Sequence, residues 1–348
     1  MKNLIHDNIT SDLINKIDYQ VKRSASIIIT SHISPDDDSI SSTLAVYIYL
    51  IKYLKVNANV KMIYTGDRLD RWENIPLFNK IDFVDDVSDH VGDVDTLIFL
   101  DGSDWKRFSW KNKNPKFNGK IICIDHHMNP EEIFDIHLVA KHLTSTAETV
   151  YRLFYHDKSL TKEICEILLM GILGDTGNFR FVEPHQSGVF DVAKRLVEEG
   201  MIKLESLQSK YDSIPLEIES IIGELIRNIK PMKIVGWPDF VYTYLHNDYQ
   251  KNNKLKDSEI EFARLTFSET LKNIKSYSWG FTVTPMKNGS KLSARSLPNS
   301  VSVRLMMENL KIGGGHNRSA GGLLKIEDTS NAVNFVLNWM KNNKPHIV

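Results

Sequence analysis

Asp125, His126 and His127 stand in a row immediately after the apolar run 120–124. Two imidazoles and a carboxylate at the end of a buried strand are costly unless a cation holds them. The triplet therefore reads either as a metal-binding cluster or as a solvated turn. Three further clusters repeat the arrangement. The β-rich run 26–30 leads into His32, Asp36, Asp37 and Asp38, the run 96–100 leads into Asp101, and the apolar segment 164–173 leads into Asp175 and then Arg180. In open α/β sheets ligands bind in the crevice beyond the carboxyl ends of the strands, so the four clusters are expected to form one site.

His32, Asp36, Asp38, Asp101, His126 and Asp175 together offer carboxylates and imidazoles enough for two cations. A pair of divalent ions about 3.5–4 Å apart supplies a hydroxide nucleophile at neutral pH and clamps a phosphate oxygen for in-line displacement. Oxygen and nitrogen donors without thiolate favour Mn²⁺, with Mg²⁺ or Co²⁺ as substitutes. A second unusual stretch, 311–322, holds Gly313, Gly314, Gly315 and His316. Consecutive glycines let backbone N–H groups approach an anion closely; the alternative is a glycine loop with no ligand. Arg295 is either a further phosphate ligand or a surface arginine.

Positioning these residues requires alternating strands and helices. Apolar spacing over 4–21 marks an amphipathic helix. Strands are expected at 26–30, 59–64, 81–84, 95–100, 120–124 and 135–139, with a helix over 39–55. Ser145 and Glu148 have the capping-box spacing that opens another helix, and 161–173 and 186–199 also read as helical. Nearly continuous apolar strands imply an α/β fold: a mostly parallel, doubly wound sheet with helices on both faces. A connecting helical segment, 203–230, is expected between a catalytic domain over 1–202 and a smaller α/β domain with a mixed sheet over 231–348. In the latter, a hairpin over 233–245, a helix over 257–272, strands at 277–285 and 291–296 joined by Asn288-Gly289, and a helix over 300–310 are expected.

The 348-residue chain is 42% hydrophobic and 25% charged, which excludes an intrinsically disordered protein. Its net charge of −1 argues against a broad duplex-binding surface but leaves room for a local pocket taking a short oligonucleotide. The two cysteines, Cys123 and Cys165, fall in apolar runs, so neither a disulfide framework nor a zinc–thiolate site is expected. No run reaches the roughly 18 apolar residues of a membrane span. Residues 1–20 are amphipathic rather than signal-like, and a cytoplasmic protein is expected.

In order and combination, the four N-terminal motifs and the C-terminal glycine–His motif resemble the DHH-family phosphoesterases that carry a DHH-associated C-terminal domain. The resemblance is to the branch of nanoRNases and pAp phosphatases that includes soluble cyclic-di-AMP and pApA phosphodiesterases, and it spans nearly the whole chain. It implies that His32, Asp36 and Asp101 hold one metal and Asp38, Asp101, His126 and Asp175 the other, with Asp101 bridging. It further implies that His127 faces the scissile phosphate, that Asp125 orients the histidine pair, and that Arg180 lies near the phosphate. Arg295, Gly313, Gly314, Gly315 and His316 would bind the 5′ nucleotide end, leaving the scissile phosphate between the domains.

The implied activity is hydrolysis of short 5′-phosphorylated oligonucleotides, RNA or DNA, to mononucleotides, with pAp as a further substrate. Cyclic-di-AMP hydrolysis, a pyrophosphatase-like activity and a silent nucleotide-binding sensor are the alternatives. No membrane or stable large nucleic-acid partner is implied, and a homodimer is compatible with the family. Three departures stand out. Asp37 occupies a place where the family usually has glycine, Ser39 and Ser41 stand where alanine and glycine are common, and Ile312 replaces an additional glycine. An added carboxylate at 37 is expected either to perturb metal or substrate or to be a neutral helix-start residue.

Overall fold

The computed structural model describes residues 9–33, 35–102, 117–127, 134–211, 214–268 and 270–348. They divide into two compact units, Met1–Ser213 and Ile214–Val348.

The first unit is built on six parallel strands: β1 (Ser26–Thr30), β2 (Asn59–Thr65), β3 (Ile81–Val84), β4 (Thr96–Leu100), β5 (Lys120–Asp125) and β6 (Ile136–Val139). Their spatial order is β3-β2-β1-β4-β5-β6. The chain therefore winds outward from β1 to one edge and returns to fill the other side. Neighbouring β1 and β4 leave in opposite directions, and a crevice opens where such a switch occurs. Every described residue of β4, and all but the first of β1 and β5, is buried, the pattern expected of parallel strands covered on both faces.

Helix α1 (Ser11–Arg23) packs against edge strand β6, and α2 (Asp37–Ile48) packs against β1, β2 and β4. α2 ends in a wider turn over Tyr49–Tyr53. On α2 lie α3 (Thr146–Val150) and α4 (Lys162–Thr176), and α4 in turn carries α5 (Val189–Gly200). The approach is close: a Cβ on Gly171 of α4 would fall 2.7 Å from the Cβ atoms of both Ser41 and Ala147. Cys123 and Cys165 are both buried thiols. The stretch 203–230 contains α6 (Leu204–Tyr211) in the first unit and α7 (Leu216–Arg227) in the second.

The second unit has the sheet order β11-β12-β10-β9-β8-β7, from β7 (Lys230–Met232), β8 (Phe240–Tyr244), β9 (Trp279–Met286), β10 (Gly289–Ser296), β11 (Gly313–Gly315) and β12 (Ser319–Leu324). Only β8 and β9 pair in parallel, so the sheet is mixed. One core contains Trp279, Phe281, Leu292, Met307 and Val336, and a second contains Val241, Ile221, Ala263 and Phe267. Gly313–Gly315 is an edge strand paired to β12, and a Cβ on Gly313 would fall 2.1 Å from the carbonyl oxygen of Gly321. Close strand approach accounts for that glycine.

Candidate metal centre

The ends of β1, β4 and β5 deliver the first candidate ligands. His32 follows β1 and is buried; its Nδ1 lies 2.9 Å from the Ile33 carbonyl. A carbonyl only accepts, so Nδ1 carries a proton; with a cation bound, Nε2 would present its lone pair. That Nε2 lies 3.3 Å from Asp101 Oδ2 and 3.7 Å from Asp36 Oδ2. Asp101, at the end of β4, has the left-handed φ of 56°. Few non-glycine residues adopt it, aspartate being among the more tolerant, and strained backbone of this kind gathers at functional sites.

His126 Nε2, after β5, stands 3.0 Å from Asp175 Oδ2, 3.6 Å from Asp101 Oδ1 and 3.9 Å from Asp38 Oδ2. Asp101 thus turns one oxygen to the His32 group and the other to the His126 group. Candidate donor atoms of His32, Asp36 and Asp101 lie within 4.8 Å of one another, as do those of Asp38, Asp101 and His126.

Helix ends supply the rest, Asp36 and Asp38 at the start of α2 and Asp175 in the last turn of α4. Asp36 is the N-cap of α2, with Ser39 N donating to its Oδ1 at 3.0 Å. Asp38, in the first turn of α2, is held from across the unit: Thr146 N donates to Oδ2 at 2.7 Å and Ala147 N to Oδ1 at 2.8 Å. The positive end of α3 therefore faces a carboxylate, as helix N-termini favour. The Thr146 hydroxyl also donates to Asp101 Oδ1 at 3.0 Å. Thr146 was absent from the residues singled out in the sequence, where 145–148 read only as a helix start. Ser145 caps as expected, accepting from Glu148 N at 3.0 Å. The Glu148 carboxylate, however, accepts from the amide and hydroxyl of Thr144 and pairs with Arg152 rather than reaching the Ser145 amide.

Asp125 Oδ1 accepts from His126 N at 2.8 Å and stands 2.7 Å from His127 Nδ1. Burial works against its charge, but the His127 imidazole overrides that and holds the carboxyl below its usual range. His127 Nδ1 is therefore a protonated nitrogen, donating to Asp125 Oδ1. Arg180 is exposed in the turn after α4. Arg295 lies on β10 opposite Ser319 of β12, and His316 is an exposed residue of the β11–β12 turn whose amide donates to Ser319 O at 2.8 Å.

The electrostatics suit a cation. Asp101 is buried, which opposes ionisation, yet the hydrogen bond from His32 and three surrounding imidazoles hold it well below the carboxylate range. Burial and the charges of Asp101 and Asp175 push Asp38 well above it. Asp36, half of whose side chain reaches solvent, rises to about 6 through partial desolvation and the charge of Asp101. Carboxylates crowded until they repel one another are relieved by compact positive charge, and four carboxylate side chains with two imidazoles form a donor set that fits hard or borderline divalent ions.

Residues 26–172 match the model of the DHH family, N-terminal domain. Residues 26–172 form a DHH-family N-terminal domain within the first unit. Over 312 residues, the whole chain is 27% identical to the bifunctional oligoribonuclease and PAP phosphatase NrnA of Thermus thermophilus, covering 89% of this chain and 88% of that protein. It is 26% identical to a probable NrnA of Streptococcus mutans, covering 61% and 64% of the two chains. An exopolyphosphatase-related protein of Bacteroides fragilis has the same fold, with a TM-score of 0.78 at 23% identity over 97% of this chain and 98% of that one. The DHH domain places the Asp125-His126-His127 triplet at the end of β5, and among the described residues no helix is long and apolar enough to cross a membrane.

Proposed function

We propose that the chain is a divalent-metal-dependent phosphoesterase that cuts short 5′-phosphorylated oligonucleotides, pApA included, to mononucleotides and removes the 3′-phosphate of pAp. The observation that carries this reading is Asp101, whose two oxygens face different ligand groups as a bridge between two cations requires. The names of the Thermus and Streptococcus relatives support the substrate class.

His32, Asp36 and Asp101 would hold one ion and Asp38, Asp101, His126 and Asp175 the other. Mn²⁺ suits donors that mix oxygen and nitrogen without thiolate. When bound, such a pair lowers the pKa of water and neutralises charge on the phosphate. The chain's own residues do the remaining work. Asp125 fixes the His127 ring so that Nε2 would meet the phosphate, and the ring protonated on both nitrogens would pass the Nε2 proton to a departing oxygen and keep the one on Nδ1. Thr146 keeps one Asp101 oxygen in place. In the second unit, Arg295, His316 and Gly313 to Gly315 would read the nucleotide. A cytoplasmic location accords with such a substrate.

Initial rates with Mn²⁺ on pApA, longer RNA oligomers, pAp, cyclic-di-AMP and pyrophosphate test the proposal. Fastest turnover of pApA and short oligomers, with AMP as product, is expected; faster turnover of cyclic-di-AMP or pyrophosphate would sink it. Arg295→Ala and His316→Ala should depress pApA cleavage far more than cleavage of an activated aryl phosphodiester.

A further inference from the structure

Asp37 lies between ligands Asp36 and Asp38 but turns its carboxylate away from the centre. Arg71 Nη2 donates to both of its oxygens, at 2.7 and 2.8 Å, and Trp72 Nε1 donates to Oδ1 at 2.7 Å. The guanidinium neutralises the carboxylate, so Asp37 adds no net charge to the cluster. Arg71 and Trp72 belong to the 3₁₀ turn Asp70–Trp72 after β2, and Trp72 is buried. The turn is therefore anchored, and the carboxylate is held from a fixed base.

The stem of Asp37 is fixed as well. A Cβ on Gly174 would come within 2.6 Å of the Asp37 Cβ, so the aspartate rests on the α4 backbone one residue before Asp175. Three of the six ligand residues are thus chain neighbours of this contact. Asp38 has its own anchors on the Thr146 and Ala147 amides, whereas Asp36, the half-exposed cap, is tied by Ser39. A glycine at position 37 would leave the turn between them freer.

We propose that Asp37 is a positioning residue of the metal centre: clasped by Arg71 and Trp72, it fixes the first turn of α2 and thereby sets cation affinity. This role rests on the reading of the cluster as a metal centre. Residues outside the ligand set that orient ligands typically contribute about 10–100-fold in affinity, and the indirect clasp belongs at the lower end, ~10-fold.

Calorimetric titration of Mn²⁺ into chelator-stripped full-length protein tests it, with Asp37→Ala, Arg71→Gln and the double variant beside the wild type. Each single variant should bind Mn²⁺ about 10-fold more weakly, and the double variant no more weakly than the poorer single, with circular dichroism unchanged. At saturating Mn²⁺, kcat and KM for pApA should return close to wild type. Arg71→Gln leaves α2 untouched and decides the matter if Asp37→Ala folds poorly. Wild-type affinity in the folded single variants overturns the clasp alone. A raised KM in Arg71→Gln with unchanged Mn²⁺ affinity also overturns it, making Arg71 a substrate ligand. Failure of the wild type to bind Mn²⁺ overturns the metal centre and the clasp together.

Discussion

At the scale of single residues, Asp101 combines a left-handed backbone with a shared carboxylate. Asparagine tolerates that conformation as well as aspartate does, so Asp101→Asn removes charge without adding backbone strain. It should abolish nearly all pApA hydrolysis and most Mn²⁺ binding, and near-wild-type turnover would refute the bridging role. Thr146→Val keeps the amide on Asp38 but loses the hydroxyl on Asp101; a loss of about 10-fold in Mn²⁺ affinity is expected, read by titration. Protons compete with the cation in a definite direction. Asp38 and Asp36 are raised, and His126 is raised by Asp175 against the effect of its burial, so each must shed a proton to act as a ligand. Mn²⁺ affinity should therefore climb as pH rises through about 6, with proton release measurable in buffers of different ionisation enthalpy. That these residues would gather was legible because acidic and imidazole side chains after apolar segments have few other uses. Thr146 and the Asp37 clasp were not, because each depends on a partner distant in the chain, which one sequence does not reveal.

At the scale of elements, the centre is assembled where α2, α3 and α4 meet. α2 carries Asp38, α3 caps it, and α4 ends with Asp175 close behind Gly174. Gly171→Ala would force a methyl into a space where Ser41 and Ala147 already lie 2.7 Å from it. Overpacking of this kind costs about 1–3 kcal/mol, and the helix propensity gained from alanine returns roughly 1 kcal/mol. A modest fall in Tm is expected, together with weaker Mn²⁺ binding, since all three helices must shift; an unchanged Mn²⁺ affinity would show that the ligands do not depend on this packing. In the first sheet strand positions were readable to within a residue or two because parallel strands show unbroken apolar runs, whereas β7 falls before the hairpin expected over 233–245 and β11 and β12 were not anticipated. In the glycine stretch φ freedom and close strand approach select the same residue, so the pairing of Gly313–Gly315 with β12 was not legible in the sequence. The helix over Thr329–Lys341 lies outside every element anticipated from the sequence, although it buries Val333, Val336 and Met340 at helical spacing.

At the scale of the whole molecule, all six ligand residues come from the first unit. Mn²⁺ at about 100 times its Kd should stabilise that unit by ~2.7 kcal/mol, a rise of roughly 5–10 °C for a unit of this size. Calorimetry should show the shift in the transition of the DHH-family unit, and chelator should reverse it. β1 is synthesised first yet occupies the centre of its sheet, and its partner β4 follows about 70 residues later. At about 5–20 residues per second, a nascent chain spends roughly 4–14 s with one edge of Ile27, Ile28 and Ile29 unpaired. An apolar strand edge left open during synthesis templates association with other chains. The winding that creates the crevice between β1 and β4 thus also sets the interval in which a growing chain is most exposed to aggregation.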